Sequence, residues 1–369
     1  MESLNDIPTN KPARQSALVR SLSFEQLNAW MAGQGQPAFR SKQIWQWIWQ
    51  KNAAGFEQMT NLPRTLREAL EKSFHFDTVS IEDQQHSRDG TIKLGFRLYD
   101  GYLTEGVLIP APHGERMTAC ISSQVGCSLS CAFCATGKLA RKRNLSAGEI
   151  VDQVALIDGL ARQHYGRGLS NIVFMGMGEP LLNYREVRQG IERLTAHDGL
   201  GISPRRITVS TAGIAKMIHK LAEDKVRFHL ALSLHAAEEQ KRNQIMPINE
   251  SNSLEALGVA IRHFHQATGQ RVYYEYIVLN HFNDTQEDAR QLARFARITP
   301  CKINLIEYNP IDGGDFQRAS QERTDRFAGW LMDRYNLVVN IRRSRGEDID
   351  AACGQLANKR EQATENQQA

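Results

Sequence analysis

The run RMTACISSQVGCSLSCAFCATG, residues 116–137, opens on a strand-like alternation and closes on three cysteines, Cys127, Cys131 and Cys134, in a CxxxCxxC spacing. Three thiolates can hold three irons of a cubane 4Fe-4S cluster, and with no fourth Cys at a matching distance one iron stays open to a ligand that is not protein. Zinc is the rival reading, but a structural zinc site closes on four ligands, and no His or Cys follows Cys134 at zinc-ribbon spacing. The bland reading, three unrelated buried thiols, sits poorly with only six Cys in 369 residues.

Downstream, strand-like runs recur at NIVFMG, RRITVST, RFHLALSLH, RVYYEYIVL and KINLIEYN, separated by stretches of helical periodicity. With RMTACIS they make six β/α units, which predicts an α/β core over residues 115–345 whose parallel sheet carries helices outside and is open or partly closed like a barrel. A seventh run, LVVNIRRSRG, is expected at a sheet edge. Ser146 with Glu149 three residues on reads as a capping box opening a helix. A parallel barrel gathers its ligand loops at the C-terminal strand ends. Gly176, Gly178 and Glu179 follow the second strand, Ser210 ends the third, Ser233, Leu234 and His235 end the fourth, and Asn309 follows the sixth. Each alone is a turn or capping residue; polar groups at four strand ends argue together for a ligand.

Upstream, residues 77–114 switch to period two and are expected as a connecting β-hairpin. Ile92, Leu94, Phe96 and Leu98 alternate, Asp100-Gly101 supplies the turn, and Leu103, Val107 and Ile109 continue one face. Glu105 falls in that apolar series, where partial desolvation would raise its pKa and suit a proton acceptor. A Glu in water or in a salt bridge is the plainer alternative. Residues 23–76 read as a small helical domain, with Phe24, Leu27, Met31, Ile44, Trp47, Ile48 and Trp49 at helical spacing. The tryptophans are expected as core, with base stacking as the second reading. Arg40, Lys42, Lys51, Arg64 and Arg67 border those helices as phosphate contacts or as a solvated face. Polar composition predicts disorder at residues 1–22, and residues 346–369 read as a C-terminal loop with a polar tail.

CxxxCxxC with Phe133 just before its last Cys resembles the signature of the radical S-adenosylmethionine (SAM) superfamily. GMGEP, STAG, SLH and GEDIDAACGQL (346–356) narrow the likeness to the RlmN/Cfr group of RNA methyltransferases, from about residue 23 to residue 356. The resemblance implies a partial (β/α)6 barrel, a 4Fe-4S cluster on Cys127, Cys131 and Cys134, and SAM held by Gly178, Glu179, Ser210, Ser233, Leu234, His235 and Asn309. It also implies Cys353 as a methyl carrier, Cys120 as the thiol that resolves a protein–RNA adduct through a transient disulfide, and Glu105 as proton acceptor. Two SAM per turnover, 23S rRNA and tRNA as substrates, methylation at adenine C2 and a flavodoxin-type electron donor follow from the same likeness. The sister Cfr activity at C8 is the alternative. Basic stretches at Lys138, Arg141, Lys142 and Arg143, at Arg205 and Arg206, and at Arg342, Arg343 and Arg345 are candidates for an RNA path or plain surface charge.

A hydrophobic fraction of 41% with 23% charged residues reads as ordinary globular protein. No apolar run is long enough to span a bilayer and MESLNDIPTNKPARQ lacks a signal-peptide core, so a cytoplasmic, membrane-free monomer is expected. A net charge of +4 is too small to argue for nucleic acid by itself. Cys301 beside Pro300 reads as a small buried hydrophobe.

Overall fold

The computed structural model describes residues 17–76, 78–112 and 116–358. The chain forms two compact units, Met1–Asp77 and Thr78–Ala369.

The first unit runs β1 (Ala17–Leu18), α1 (Phe24–Gly33), α2 (Ala38–Trp49), α3 (Arg64–Ser73) and β2 (Phe74–His75). Ser23 and Gln26 exchange hydrogen bonds as a capping box that starts α1. The buried stripe of α2 is Ser41, Ile44, Trp45, Ile48 and Trp49, an i, i+3, i+4, i+7, i+8 series. Trp47 lies off that stripe and is not core: it is half-buried, its Nε1 donates to Asn61 at 2.6 Å, and the Lys51 ammonium stands 3.8 Å from its ring centroid. Residues 1–16 of the expected disordered N-terminus lie outside the described residues, but 17–22 are ordered. β1 pairs in parallel with β2, and Val19 and Arg20 are buried. Arg20 donates to the Asn52 side chain and the Ala53 carbonyl and lies over the Trp49 and Phe76 rings, so this polar-looking segment completes the helical core.

The second unit holds β3 (Ser80–His86), β4 (Ile92–Arg97), β5 (Leu103–Pro110), β6 (Met117–Cys120), β7 (Gln124–Val125), β8 (Arg143–Asn144), α4 (Ala147–Tyr165), β9 (Asn171–Phe174), α5 (Tyr184–Thr195), β10 (Ile207–Thr211), α6 (Ala215–Glu223), β11 (His229–Ser233), α7 (Glu239–Ile245), α8 (Leu254–Thr268), β12 (Val272–Val278), α9 (Gln286–Ala296), β13 (Cys301–Glu307), α10 (Gln321–Gly329) and β14 (Val339–Arg342). A ten-stranded sheet runs β3-β4-β5-β6-β9-β10-β11-β12-β13-β14. From β6 to β14 every pairing is parallel, so the six β/α units and the edge strand expected from sequence form one continuous wall.

The hairpin is more than a connection. β3, β4 and β5 add antiparallel strands to the same sheet, β5 pairing with β6 so that Val107 faces Cys120. Most of β4 and β5 is buried, on both sides of the sheet, which is why this segment cannot stand apart from the barrel. The predicted turn sits at Leu98–Gly101, with Gly101 at φ +92. The predicted capping box at Ser146 starts α4: Ser146 Oγ accepts from Glu149 N, and Glu149 Oε2 accepts from Ser146 N. Among the described residues no helix is long and apolar enough to cross a membrane.

Candidate functional site

The loop between β6 and β9 is shaped by glycine before it is shaped by cysteine. Gly126 sits at φ +71, where a Cβ would stand 2.3 Å from the Ala140 carbonyl oxygen, and a Cβ on Gly137 would meet the Cys131 backbone at 2.8 Å. These close approaches fold the cysteine run back on itself, with Cys134 N donating to Cys131 O at 3.1 Å and Cys127 N to Leu139 O at 3.2 Å. Cys127, Cys131 and Cys134 thereby line one cavity at the C-terminal strand ends, together with Gly176, Gly178, Glu179, Ser210, Ser233, His235 and Cys353.

Burial raises all three thiols, Cys127 to about 11. Backbone N–H groups of Leu129 and Ser128 oppose that rise at Cys127, and those of Gly137 and Thr136 at Cys134. An all-sulfur donor set already met by N–H donors fits an iron–sulfur cluster, whose irons displace the thiol protons. Among the described residues no three His, Cys, Asp or Glu side chains converge on a single-ion position, whereas a cubane spreads its thiolates over separate irons.

Gly176 and Gly178 reach the cavity, yet their missing side chains are needed by the protein. A Cβ on Gly176 would meet the Ile121 carbonyl at 2.7 Å; one on Gly178, at φ +94, would meet Gln124 Cβ at 2.5 Å. The Glu179 carboxylate is buried and accepts from Leu181 N at 2.9 Å and Ala212 N at 2.7 Å, which ties β9 to β10. Burial raises its pKa against those hydrogen bonds. Ser210 and Ser233 face one another at 3.2 Å between Oγ atoms. His235, at φ +57, accepts from Ile277 N at 3.1 Å through Nδ1, which leaves the proton of its neutral ring on Nε2. Burial, with nearby Arg242, pulls its pKa down to about 3, so it stays neutral at ordinary pH. Its ring meets Phe133 edge-on, with centroids 4.6 Å apart.

Leu234 and Asn309 are not on the cavity wall. Leu234 is fully buried, its backbone joining β11 to Glu275 and Arg242. Asn309 Nδ2 donates to the Cys353 carbonyl at 3.3 Å, and its Oδ1 accepts from Arg318 and Ser344. It is a strut under the Cys353 loop.

That loop is a strap of the second unit. Gly354 O accepts from Ala135 N at 2.7 Å, Leu356 O from Thr136 Oγ1 at 2.6 Å, Pro310 O from Gln355 Nε2 at 3.3 Å and Leu103 O from Asn358 Nδ2 at 2.6 Å. Residues 346–358 of the C-terminal loop are ordered, because cluster loop and barrel rim each supply partners; 359–369 lie outside the described residues. Cys353 is exposed at the cavity mouth, its pKa raised by the walls around it and lowered by Arg342. Cys120 lies beneath the strap, packed with Val107, Met177, Ala351 and Leu356. Burial first, and then the charge of Cys353, push its thiol well up. All six cysteines are free thiols, so the expected Cys120–Cys353 disulfide is not present in this state.

Glu105 is buried and ion-paired with Lys93 at 3.0 Å, and its Oε2 accepts from Ala357 N at 2.8 Å. It lies on the face of β5 that bears Val107, covered by the strap. The charged partner was illegible in sequence because Lys93 sits among apolar residues on the neighbouring strand.

Glu275, Met175 and Arg242 escaped the sequence reading, and Arg342 reads from sequence only as a candidate for an RNA path or surface charge. Glu275, in the middle of VYYEYIV, carried the same signal as Glu105, a carboxylate inside an apolar strand. Arg342 and Met175 line up with it, Arg342 Nη1 standing 3.5 Å from Glu275 and 3.8 Å from Met175 Sδ. Arg242, fully buried, binds the carbonyls of Leu234, Ala212 and Ser233 and holds two strand ends together. The basic stretches also sort out. Arg143 pairs with Asp100 and Glu149, Arg343 with Glu307 and Asp325, and Arg345 with Asp89, whereas Arg141, Lys142, Arg205 and Arg206 are exposed.

Residues 19–75 match the family described as ribosomal RNA large subunit methyltransferase N-terminal domain, and residues 121–296 match the radical SAM superfamily. A Cytophaga hutchinsonii protein named "Probable dual-specificity RNA methyltransferase RlmN" is 57% identical over 92% of this chain and 93% of its own length. The dual-specificity RNA methyltransferase RlmN of Nitratidesulfovibrio vulgaris (strain Miyazaki F) is 42% identical over 92% and 93%. A radical SAM methyltransferase of Sphaerobacter thermophilus superposes with a TM-score of 0.85 at 39% identity, covering 92% of this chain and 99% of that one.

Proposed function

This chain belongs to the RlmN family of radical SAM RNA methyltransferases, and on that footing we propose that it methylates C2 of a specific adenosine in 23S rRNA and of the anticodon-adjacent adenosine in tRNA. The family implies a 4Fe-4S cluster and SAM, which together supply one-electron cleavage to a carbon radical. Cys127, Cys131 and Cys134 would hold that cluster.

The observation that carries the reading is the joining of Cys353 to the cluster loop: both line one cavity, and the Ala135–Gly354 hydrogen bond of 2.7 Å ties them. Cys353 is the methyl carrier. Its thiolate would attack the methyl carbon of a first SAM, the new C–S bond forming as the methyl–sulfonium bond breaks and S-adenosylhomocysteine leaves, and a second SAM would supply the radical. A radical route is needed because adenine C2 is an electron-poor carbon with no acidic proton, so it cannot take the methyl group from a sulfonium by direct displacement. Cys120, beneath the same strap, would attack the Cys353 sulfur of the protein–RNA adduct, the S–S bond forming as the S–CH2 bond to the RNA breaks and the released carbon taking a proton to become the methyl group. Glu105, held by Lys93 and Ala357 N, accepts the proton lost from C2 of the protein–RNA adduct. A flavodoxin-type donor resets the dithiol, and the enzyme works as a cytoplasmic monomer.

The test is anaerobic reconstitution with rRNA and tRNA fragments. Cys353→Ala should abolish methylation while cluster absorbance and SAM binding remain, and Cys120→Ala should accumulate a covalent protein–RNA adduct. Turnover by Cys353→Ala would defeat the assignment. Mass spectrometry of the product nucleoside separates C2 from C8.

A further inference from the structure

One buried carboxylate of the cavity wall takes no part in the chemistry above. Glu275 stands in mid-β12, where strand pairing sets it level with Ser233 of β11 and Asn304 of β13. It is 2% exposed and lines the cavity with Ser210, Ser233 and Cys353. Asn304 Nδ2 donates to its Oε1 at 2.8 Å, and Asn304 accepts in turn from Asn340 at 3.4 Å. Oε2 receives no hydrogen bond. Its ion-pair partner, Arg342 Nη1, stands at 3.5 Å, longer than a good charged hydrogen bond, and also contacts Met175 Sδ.

A carboxylate oxygen kept buried without a donor is costly, and native proteins rarely leave one so without a use. The neighbours here are not short of polarity. Ser210, Ser233, Glu275, Asn304 and Asn340 form a polar row across five adjoining strands. The row is satisfied along its length except at the one oxygen. A ligand that brings a donor completes it, and a ligand that brings an anion is repelled by it.

We propose that Glu275 is a binding residue for adenosine, its Oε2 accepting a hydrogen bond from the exocyclic amino group or a ribose hydroxyl. The proposal rests on the reading of this cavity as a radical SAM methyltransferase site. Two sources bring that chemistry to the cavity, SAM and the target nucleotide of the RNA, and they present the same donors.

The experiment uses reconstituted full-length enzyme and Glu275→Gln, whose amide keeps an acceptor for Asn304 while turning a donor toward the cavity. S-adenosylhomocysteine and an RNA hairpin bearing the target adenosine are titrated separately, with cluster absorbance and the thermal midpoint as checks on the fold. Affinity for one of the two should fall roughly tenfold or more, as for loss of a hydrogen bond to a charged group. Loss confined to S-adenosylhomocysteine assigns the cofactor, and loss confined to the hairpin assigns the target nucleotide. Analogues lacking the amino group or one hydroxyl complete a double-mutant cycle: the analogue without the recognised donor loses affinity in the wild type and nothing further in the variant. If Glu275→Gln does not fold, Glu275→Asp, which draws the oxygen back by one methylene, must show the same loss. Unchanged affinity for both ligands with the cluster intact overturns this proposal alone. A wild-type protein that binds neither overturns the enzymatic reading as well.

Discussion

Of the three thiols outside the cluster motif, Cys120 and Cys353 differ in how the protein treats their protons. Cys120 is enclosed by Val107, Met177, Ala351 and Leu356, and its pKa lies far above neutrality because burial disfavours the thiolate and Cys353 adds to that cost. The reactive form of Cys120 is therefore a minor species at pH 7. Its fraction rises about tenfold for each pH unit until the thiol titrates. On the proposed mechanism, single-turnover release of RNA from the Cys353 adduct should accordingly accelerate from pH 7 to pH 9 without a plateau. A flat profile would mean that opening of the strap, rather than deprotonation, limits release. His235 adds no breakpoint in this range, since burial keeps it neutral down to about pH 3.

The strap from Gly346 to Asn358 is the element on which the site turns, and a hairpin loop outside the barrel holds its base. Asp348 accepts from Ser87 Oγ at 2.6 Å and Arg88 N at 3.2 Å, while Asp89 accepts from Gly346 N at 3.0 Å and pairs with Arg345 at 2.9 Å. Both carboxyls are held below the usual carboxylate range, Asp348 mainly by its bonds with Ser87 and Arg88, and Asp89 by bonds with Thr91 and Gly346 that outweigh its burial. Asp89→Asn with Asp348→Asn removes the charges and weakens these bonds. We expect Cys353 to be alkylated by iodoacetamide several-fold faster in that variant, with cluster content unchanged. Because the folded pKa values are depressed, the clamp is intact above the ordinary carboxylate pKa and is lost as pH falls through the lower folded values. Wild-type alkylation corrected for thiolate fraction should therefore rise only in acid, below about pH 4.

At the scale of the molecule, RNA must be met by whatever cations the fold leaves exposed. Arg143 is spent on Asp100 and Glu149 and Lys138 donates to the Asp312 and Gly313 carbonyls, whereas Arg141 and Lys142 face solvent beside the cluster loop. Replacing Arg141 and Lys142 by Gln should flatten the logarithmic salt dependence of RNA binding by roughly 1.4 to 1.8 if both meet phosphates, at 0.7 to 0.9 per contact. Arg143→Gln should instead lower the thermal midpoint, since it leaves the fully buried Glu149 without its cation. An unchanged slope in the double variant would move the RNA path to another face.

Local patterns carried the sheet and the cluster loop. Apolar runs at 117–120, 171–174, 207–211, 229–233, 272–278 and 301–307 became consecutive parallel strands, because half or more of the residues in each are buried and each so reads as a strand whatever its partners. The CxxxCxxC spacing likewise put three thiols on one cavity, since a tight loop needs no distant help to converge them. Relations across long stretches of chain were decided by tertiary structure. The pairing of Glu105 with Lys93 and Ala357, the hold of Asn309 on Cys353, the ordered strap and the polar row ending at Glu275 all join residues whose spacing carries no period. Periodicity reports which face of an element is buried; it does not report which charge on another strand will meet it there.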